Sequence, residues 1–493
     1  MYMSNLQHRQ QKIQEKRKQT SFRDFLMEIA SWIPVSFSRT HWLVSRYPDS
    51  DRVSQLASMN EFFDVRQNDE KIYDPHRSFF DQLHAHFSWW VLPAVWHYLP
   101  CENAAYADTV WWVSNVYLSF LSSVECSSIY YSFVTRNNVH DVYNSMYVID
   151  NSSAIYQSFA VSNSQDIFYS RFISNSSQLR VCINMIWCHN CIQCSGLVNK
   201  EYCINNKQYT RESYVLMKQE ILRNKSDLIN SFSELWNTWD NIWSYDVSGS
   251  YLVECNDITN GYVSAHIKTW KNVILSWWAH TCEYAYDSIQ WIDYNHAYAT
   301  AWIGMWDHFY CCVHLVGSYM FYSTLCRNCS YCLGCVWLNN KSFCIFNKQY
   351  TKEERHKKVD EIFTNMEKEW VLGEFFPWQM NPFYFNDTAA YLIDDSFSKE
   401  GVEAKGYLRR DEVVQVDIPE GVEVVKTSEL GQYEWWKDEE RHIDPSILNK
   451  VIKDEQWNVY KAVKMEYDFL MKHALPLPRK HWLDRLKMNF KIV

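Results

Sequence analysis

The sequence predicts a mainly β protein with flanking helices: two tandem narrow β-solenoids of about 12 residues per coil, each capped by a helix, with helical N- and C-terminal segments. Two repeats of different length predict it. The long one is direct: CHNCIQCSGLVNKEYCINNKQYT, Cys188 to Thr210, returns 141 residues later as CSYCLGCVWLNNKSFCIFNKQYT, Cys329 to Thr351. The short one lies inside each copy. VYLS at Val116, IYYS at Ile129, VYNS at Val142, IYQS at Ile155 and IFYS at Ile167 recur every 12 or 13 residues. VILS at Val273, AYDS at Ala285, AYAT at Ala297, FYCC at Phe309 and FYST at Phe321 recur every 12.

A unit this short is too small for a helix pair, and it holds two strand-like patches separated by Asn, Ser or Asp turns. Stacking such units at about 4.8 Å buries an apolar stripe that no single unit can bury alone. An antiparallel sandwich is the competing architecture, since its strands also come every 8 to 12 residues or so. Near-constant spacing through successive units in both halves favours the solenoid.

The remaining elements follow in order. Residues 1–95 read as a helical, degenerate module that opens on the polar, basic helix former MYMSNLQHRQQKIQEKRKQ. Residues 96–210 carry the first solenoid and 246–351 the second. Between them, 211–245 has helical periodicity. Residues 352–372 form a capping helix with Thr351 and Glu354 spaced as a capping box, and each such helix is expected to cover the last rung of its solenoid. Residues 373–440 read as an irregular acidic segment and 441–493 as an amphipathic helical one. The two ends echo each other, with DFLM at Asp24 and at Asp468 followed by a proline and then HWL at His41 and His481.

Composition sets limits on function. A net charge of −10 and a pI near 5.9 oppose general nucleic-acid binding, which needs a basic surface, and leave protein as the expected partner. A local basic run, KQYTKEERHKK, reads as the first turns of a surface helix rather than a phosphate site. No apolar run approaches the roughly 18 residues of a membrane span, and the expected location is the cytoplasm. There, the 16 cysteines are expected as thiols or metal ligands rather than disulfides. Walker loops, GxGxxG turns and GxSxG elbows are absent, so no catalytic residue is assigned and the chain leans towards a non-enzyme. Asp293 with His296, and Asp307 with His308, fall in repeat turns where solvated polar residues are expected.

Aligning the copies leaves four shared cysteines in each: Cys188, Cys191, Cys194 and Cys203, then Cys329, Cys332, Cys335 and Cys344. Cys326 has no counterpart, because Met185 stands at its place. Four thiolates match the donor count of a closed tetrahedral zinc site, with sulfur about 2.3 Å from the ion, and they are soft enough for an iron–sulfur cluster. CxxCxxC with a fourth cysteine nine residues on departs from the usual pair of CxxC knuckles. The alternative is structural: with 12-residue coils, Cys191 stacks on Cys203 and Cys332 on Cys344 as small apolar residues.

The stretch GCVWLNNKSFCIFNKQYTKEE resembles a family of uncharacterised cysteine-rich, zinc-ribbon-like proteins of candidate-phyla bacteria, whose signature is NCxGCxGLxNKxYCIxNKQYTKEEY. Looser resemblance covers DPHRSFFDQL, GEFFPWQMNPFYFN and DFLMKHALPLPRKHWLDRLKM. The resemblance implies the solenoid and a zinc-binding CPxC module before it. Here the corresponding stretch, IPVSFSRTHWLVSRYPDSDRV, contains no cysteine. The family has glycine where Trp337 stands, as does the first copy at Gly196. Glycine is scarce at 11 residues and tryptophan abundant at 24, which is what results when UGA codons that some of these bacteria read as glycine are translated as tryptophan.

Overall fold

The computed structural model describes residues 8–223 apart from 10, 14, 18, 41–42, 54, 59–69 and 88–90, the backbone of short strands between 249 and 315, and residues 315–490 apart from 412–417, 419 and 438–439. The chain divides into two compact units. One combines Trp96–Thr238 with Asp411–Lys491; the other combines Met1–Val95 with Trp239–Arg410 and Ile492–Val493.

The first of these units is built on a β-solenoid whose backbone repeats every three residues. Each triplet has an inward residue, an outward residue and a corner residue at positive φ. Ile155-Tyr156-Gln157 (corner φ 43°), Ser158-Phe159-Ala160 (52°), Val161-Ser162-Asn163 (44°) and Ser164-Gln165-Asp166 (56°) make one coil. Four triplets give the 12-residue step seen where Gln165 pairs in parallel with Ser177. Coils of 13 arise where a corner holds two consecutive positive-φ residues, at Val124–Glu125, Asn137–Asn138 and Asp150–Asn151. Pairing there steps from Phe133 to Met146 and on to Phe159.

Each coil contributes two short strands, as the two strand-like patches per repeat predict. Ser153–Tyr156, Gln165–Phe168 and Ser177–Arg180 stack in one parallel run, and Phe159–Ser162, Arg171–Ser174 and Ile183–Ile186 in the other. Inward residues at strand centres are aliphatic: Val142, Ile155, Ile167 and Leu179 along one run, and Val148, Val161, Ile173 and Met185 along the other, all essentially without solvent contact. Burying each such side chain is worth about 1.5–3 kcal/mol, and β-branched residues suit the pleat.

Inward residues between strands are different. Ser145, Ser158 and Ser170 line one edge of the coil, and Ser152, Ser164 and Ser176 the other, all buried. Along these ladders a backbone N–H is met by the hydroxyl of the serine one coil earlier: Ser158 N to Ser145 Oγ at 3.1 Å, Ser170 N to Ser158 Oγ at 3.1 Å, and Ser176 N to Ser164 Oγ at 3.0 Å. Each hydroxyl in turn donates to a carbonyl in its own coil, as Ser158 does to Tyr156 O at 2.9 Å. These ladders satisfy buried polar groups that the strand pairing leaves over.

Outward residues carry the packing of the C-terminal segment. Tyr130 and Tyr143 stack with ring centres 5.0 Å apart, and Phe469 of helix Lys464–Lys472 lies on Tyr143 and Tyr156. Beneath it, the buried Glu466 carboxylate accepts hydrogen bonds from Arg485, from Tyr156 Oη at 3.1 Å and from Asn144 Nδ2 at 2.9 Å. Between Pro445 and Tyr460, which the sequence reads as helix, the chain forms a 3-10 turn and a hairpin of Val451–Lys453 with Val459–Tyr460. The β-branched run of this stretch and the Asp454–Asn458 turn outweigh its helical periodicity. The acidic segment also holds order, with Glu434–Lys437 paired antiparallel to Glu440–Ile443.

In the second unit the triplet recurs at residues 319–347, with positive φ at Tyr319, Tyr322, Leu325, Asn328, Tyr331, Gly334, Trp337, Asn340 and Phe343. Upstream, parallel pairs such as Asn256 with Lys268 and Glu283 with Asn295 keep the 12-residue step in the backbone. Helix Lys352–Lys368 starts with the expected capping box, Thr351 and Glu354 bonding reciprocally. Its position differs from the expected one. Phe363 packs on Phe321, and His356 on Tyr331 and Phe343, so the helix lies along the flank over three successive coils. The end of the stack is closed instead by a hairpin, Cys344–Ile345 turning back on Lys348–Gln349, as Cys203–Ile204 turns back on Lys207–Gln208 in the first unit. On the same flank, Phe79 of helix Phe79–Phe87 meets Tyr322 and Phe346.

Two predictions follow from these contacts. Ser158→Ala leaves the Ser170 N–H buried without its acceptor and is expected to cost about 1–3 kcal/mol in denaturant unfolding. Ser158→Cys should cost less, because a thiol can keep both bonds; equal losses would contradict the ladder. The second concerns His473 and His481, whose imidazoles are pushed down to about 4 from 6.5, chiefly by burial. In that window the unfolded chain binds more protons than the folded one, so stability is full above pH 6.5 or so and falls as the pH drops towards 4. His481→Asn, which keeps a cap acceptor for helix Trp482–Phe490, should flatten this acid limb of the unfolding midpoint against pH.

Candidate functional site

The triplet backbone explains the spacing of the cysteines. Every third residue points inward, so CxxCxxC is a run of successive interior positions rather than a set of ligands on one loop. In the first unit Cys191 and Cys203 continue the aliphatic column of Ile155, Ile167 and Leu179, paired in register one coil apart. Cys194 continues the serine ladder of Ser158 and Ser170, and Cys188 that of Ser164 and Ser176. In the second unit Cys332 pairs with Met320, and Cys344 lies one coil beyond Cys332, beside the Leu333–Ile345 pair. Cys335 sits one coil beyond Ser323, and Cys329 one coil beyond Gly317. The stacking expected for Cys191 on Cys203 and Cys332 on Cys344 is therefore present.

All eight shared cysteines are buried and are free thiols. Each stands within bonding reach of the carbonyl two residues before it: Cys188 to Ile186 O at 3.3 Å, Cys191 to His189 O at 3.3 Å, Cys194 to Ile192 O at 3.2 Å, and Cys203 to Glu201 O at 3.5 Å. In the second set the distances are 3.3 Å for Cys329, 3.4 Å for Cys332, 3.5 Å for Cys335 and 3.6 Å for Cys344. The sulfurs also accept, as the serines do. Asn206 N meets Cys194 Sγ and Asn347 N meets Cys335 Sγ, both at 3.4 Å. Those two asparagines clamp the end of each stack: the Asn347 amide bonds both Val336 N and Val336 O, and Asn206 does the same at Ser195.

Further thiols belong to these interiors, Cys126 in the first unit among them. Cys182 occupies the ladder position before Cys194, where the second unit has Ser323, and Cys326 takes the interior place of Met185. Counting back in threes from Cys188 would have found Cys182 in the sequence. Electrostatically the thiols differ. Cys194 is held down to about 4 because the Cys182 and Cys191 thiols donate to it, and both donors are pushed up. Cys329 is held down to about 3 by Cys326 and Cys332, which are likewise raised. Cys188 and Cys203 are raised by burial, and Cys344 is lowered by the Cys332 thiol.

The donor set is soft enough for zinc or iron. Among the described residues, however, no group of three or more His, Cys, Asp or Glu side chains is arranged to hold a metal ion. The basic run is partly interior to its helix packing: Arg355 is buried over Phe321 and Tyr331 rather than offered to a phosphate. Asp293, Asp307 and His308 lie outside the described residues, and of His296 only the backbone is described. No helix among the described residues is long and apolar enough to cross a membrane. No family model matches the chain, and no curated protein or solved structure shows significant similarity to it.

Interior placement predicts slow chemistry. Among the described cysteines, a maleimide should under native conditions label half-buried Cys101 first, while the eight ladder cysteines react only as the chain unfolds. Peptide mapping of labelled protein against denaturant concentration checks this, and rapid native-state labelling of Cys194 or Cys329 would contradict it.

Proposed function

We propose that the chain is a non-enzymatic scaffold of two tandem β-solenoids, each ending in cysteine-rich coils with a helix alongside, that presents a long regular face to a protein partner. The observation that carries this reading is the inward direction of every shared cysteine, with each sulfur within reach of a carbonyl of its own coil. Side chains so placed hold a stack together and do not meet a substrate. The second solenoid extends the 12-residue backbone step of its upstream strands into the triplets around Cys332.

The outward face supports the partner. Asn138 Nδ2 bonds Asn151 Oδ1 at 2.9 Å and Asn151 Nδ2 bonds Asn163 Oδ1 at 3.3 Å, an exposed amide column along the coils. Beside it, Ser127 pairs with His140 at 2.7 Å and Ser177 with His189 at 2.9 Å. A fixed polar lattice of this kind suits a protein surface and, with the net charge of −10, disfavours a polyanion. Unpaired thiols fit a reducing cytoplasm. The resemblance to the cysteine-rich family of candidate-phyla bacteria accords with this architecture.

The second reading is a thiolate–metal protein with structural zinc, or with a redox or nucleic-acid-handling role, and the four soft sulfur donors shared by each copy favour it. Elemental analysis of purified protein separates the two. A colourless protein without stoichiometric metal, whose unfolding midpoint a chelator does not move, is the expected result. About two zinc ions per chain would make the cysteines structural ligands. Bound iron with visible absorption would overturn the scaffold reading.

A further inference from the structure

We infer that Trp187, Trp337, Trp370 and Trp457 stand at backbone positions built for glycine and are glycine in the protein as its own cell makes it.

Trp370 gives the clearest geometry. Helix Lys352–Lys368 ends at the cap residue Glu369, and Trp370 follows at φ 61°. Its N–H bonds Glu367 O at 3.1 Å, and the next N–H, of Val371, bonds Met366 O at 3.0 Å. This pair of bonds defines a Schellman termination, whose left-handed residue is usually glycine because a Cβ there crowds a carbonyl. The indole is 85% exposed.

Trp457 occupies a second glycine position of a different kind. In the hairpin between Val451–Lys453 and Val459–Tyr460, Trp457 N bonds Asp454 O at 3.1 Å, and Asp454 N bonds Asn458 O at 2.9 Å. That is a tight turn followed by a left-handed residue, with Trp457 at φ 70°. Glycine is the residue such a bulge calls for. The indole is again mostly in solvent, 75% exposed. Outside residues 96–210 and 317–351, the described positive-φ positions hold Gly373, Gly406, Gly421 and Ala474 besides these two tryptophans.

Inside the coils positive φ is imposed on many residue types, Tyr319 and Phe343 among them, so conformation alone does not mark glycine there. Position does. Trp337, at φ 66°, is the counterpart of Gly196, at φ 67°, in the duplicated stretch. Trp187, at φ 57°, interrupts a corner column of asparagines: Asn151, Asn163 and Asn175 before it, Asn199 after it. Asparagine and glycine are the residues that adopt this conformation most readily. By contrast, Trp32 and Trp482 lie outside the positive-φ set and pack as tryptophans do. Trp32 meets Phe375 edge-on and Trp482 stacks on Tyr131 with centres 5.6 Å apart.

A codon read as glycine by the cell and as tryptophan in translation accounts for both compositional extremes, 11 Gly and 24 Trp, at once. It also removes exposed indoles from the surface, so Trp187, Trp370 and Trp457 are neither a base-stacking platform nor a docking patch.

The test is to read the codons and then the native polypeptide. UGA is expected at positions 187, 337, 370 and 457 and UGG at Trp32 and Trp482, with mass spectra of protein from the source cell showing glycine at the four positions. UGG codons at these positions, or a tryptophan mass in the peptide spanning Trp370 or Trp457, overturns the inference. Recombinant protein supplies a second measurement: Trp370→Gly and Trp457→Gly are expected to raise the unfolding midpoint and Trp32→Gly to lower it. A fall in both of the first two variants counts against the inference.

Discussion

A backbone N–H left over at the edges of each coil is the constraint on which the rest of this structure depends. Strand centres pair with the coils before and after through the main chain, but the inward residue between two strands sits where the chain bends. Its N–H faces the interior and must be met there, since each unpaired buried donor costs about 1–3 kcal/mol against a domain's stability margin of about 5–15 kcal/mol. A short side chain that both accepts and donates solves the problem. Serine does so through Ser145, Ser158 and Ser170, and through Ser152, Ser164 and Ser176. Repetition of one solution, coil after coil, produces the IYxS periodicity of the sequence.

The same triplet decides what lies outside. Because the residue after each strand-centre aliphatic faces out, the tyrosines of VYNS and IYQS form an external column, and an external aromatic column must be covered. Phe469 covers Tyr143, Tyr156 and Phe168, while Glu466 and Arg485 neutralise each other beneath it. Removing one partner of that pair strands the other's charge away from water, so the pair fixes where the C-terminal segment sits more than it adds to net stability. In the second unit Phe79, Phe363 and Arg355 cover the flank of the coils in the same manner.

Much of this was legible in the sequence, and the limit of legibility is instructive. The 12-residue period, the two strands per coil, the stacking of Cys191 on Cys203 and the capping box at Thr351 all follow from spacing, which reports repeated geometry directly. The three-residue rule was present too, in the cysteines themselves, but it was masked because the left-handed corners accept Asn, Tyr, Gln, Ala and Phe alike. No turn signature marks such corners, since the stack and not the residue enforces them. The hairpin at Val451–Tyr460 reads as helix in the sequence because a stretch with apolar residues at mixed spacing fits both periods, and its turn residue Trp457 conceals the glycine signal that punctuates a hairpin.

The cysteines are best understood as residues of the ladder that can do what serine does and what an aliphatic does. Cys194 and Cys335 accept an N–H from the closing asparagine, which an alanine would leave unpaired. Cys191, Cys203, Cys332 and Cys344 fill an aliphatic column, where a serine hydroxyl would be a polar group among apolar neighbours. One residue type therefore serves both positions, and it is concentrated where the coils end and the two columns must be closed together. Sulfurs already meet across columns, Cys191 at Cys194 and Cys332 at Cys329, and a metal ion drawing on them would replace bonds that also organise the last coils. The clusters thus tie thiol chemistry to the integrity of the stack's end, and any oxidant or metal that reached them would act on the fold before it acted on a substrate.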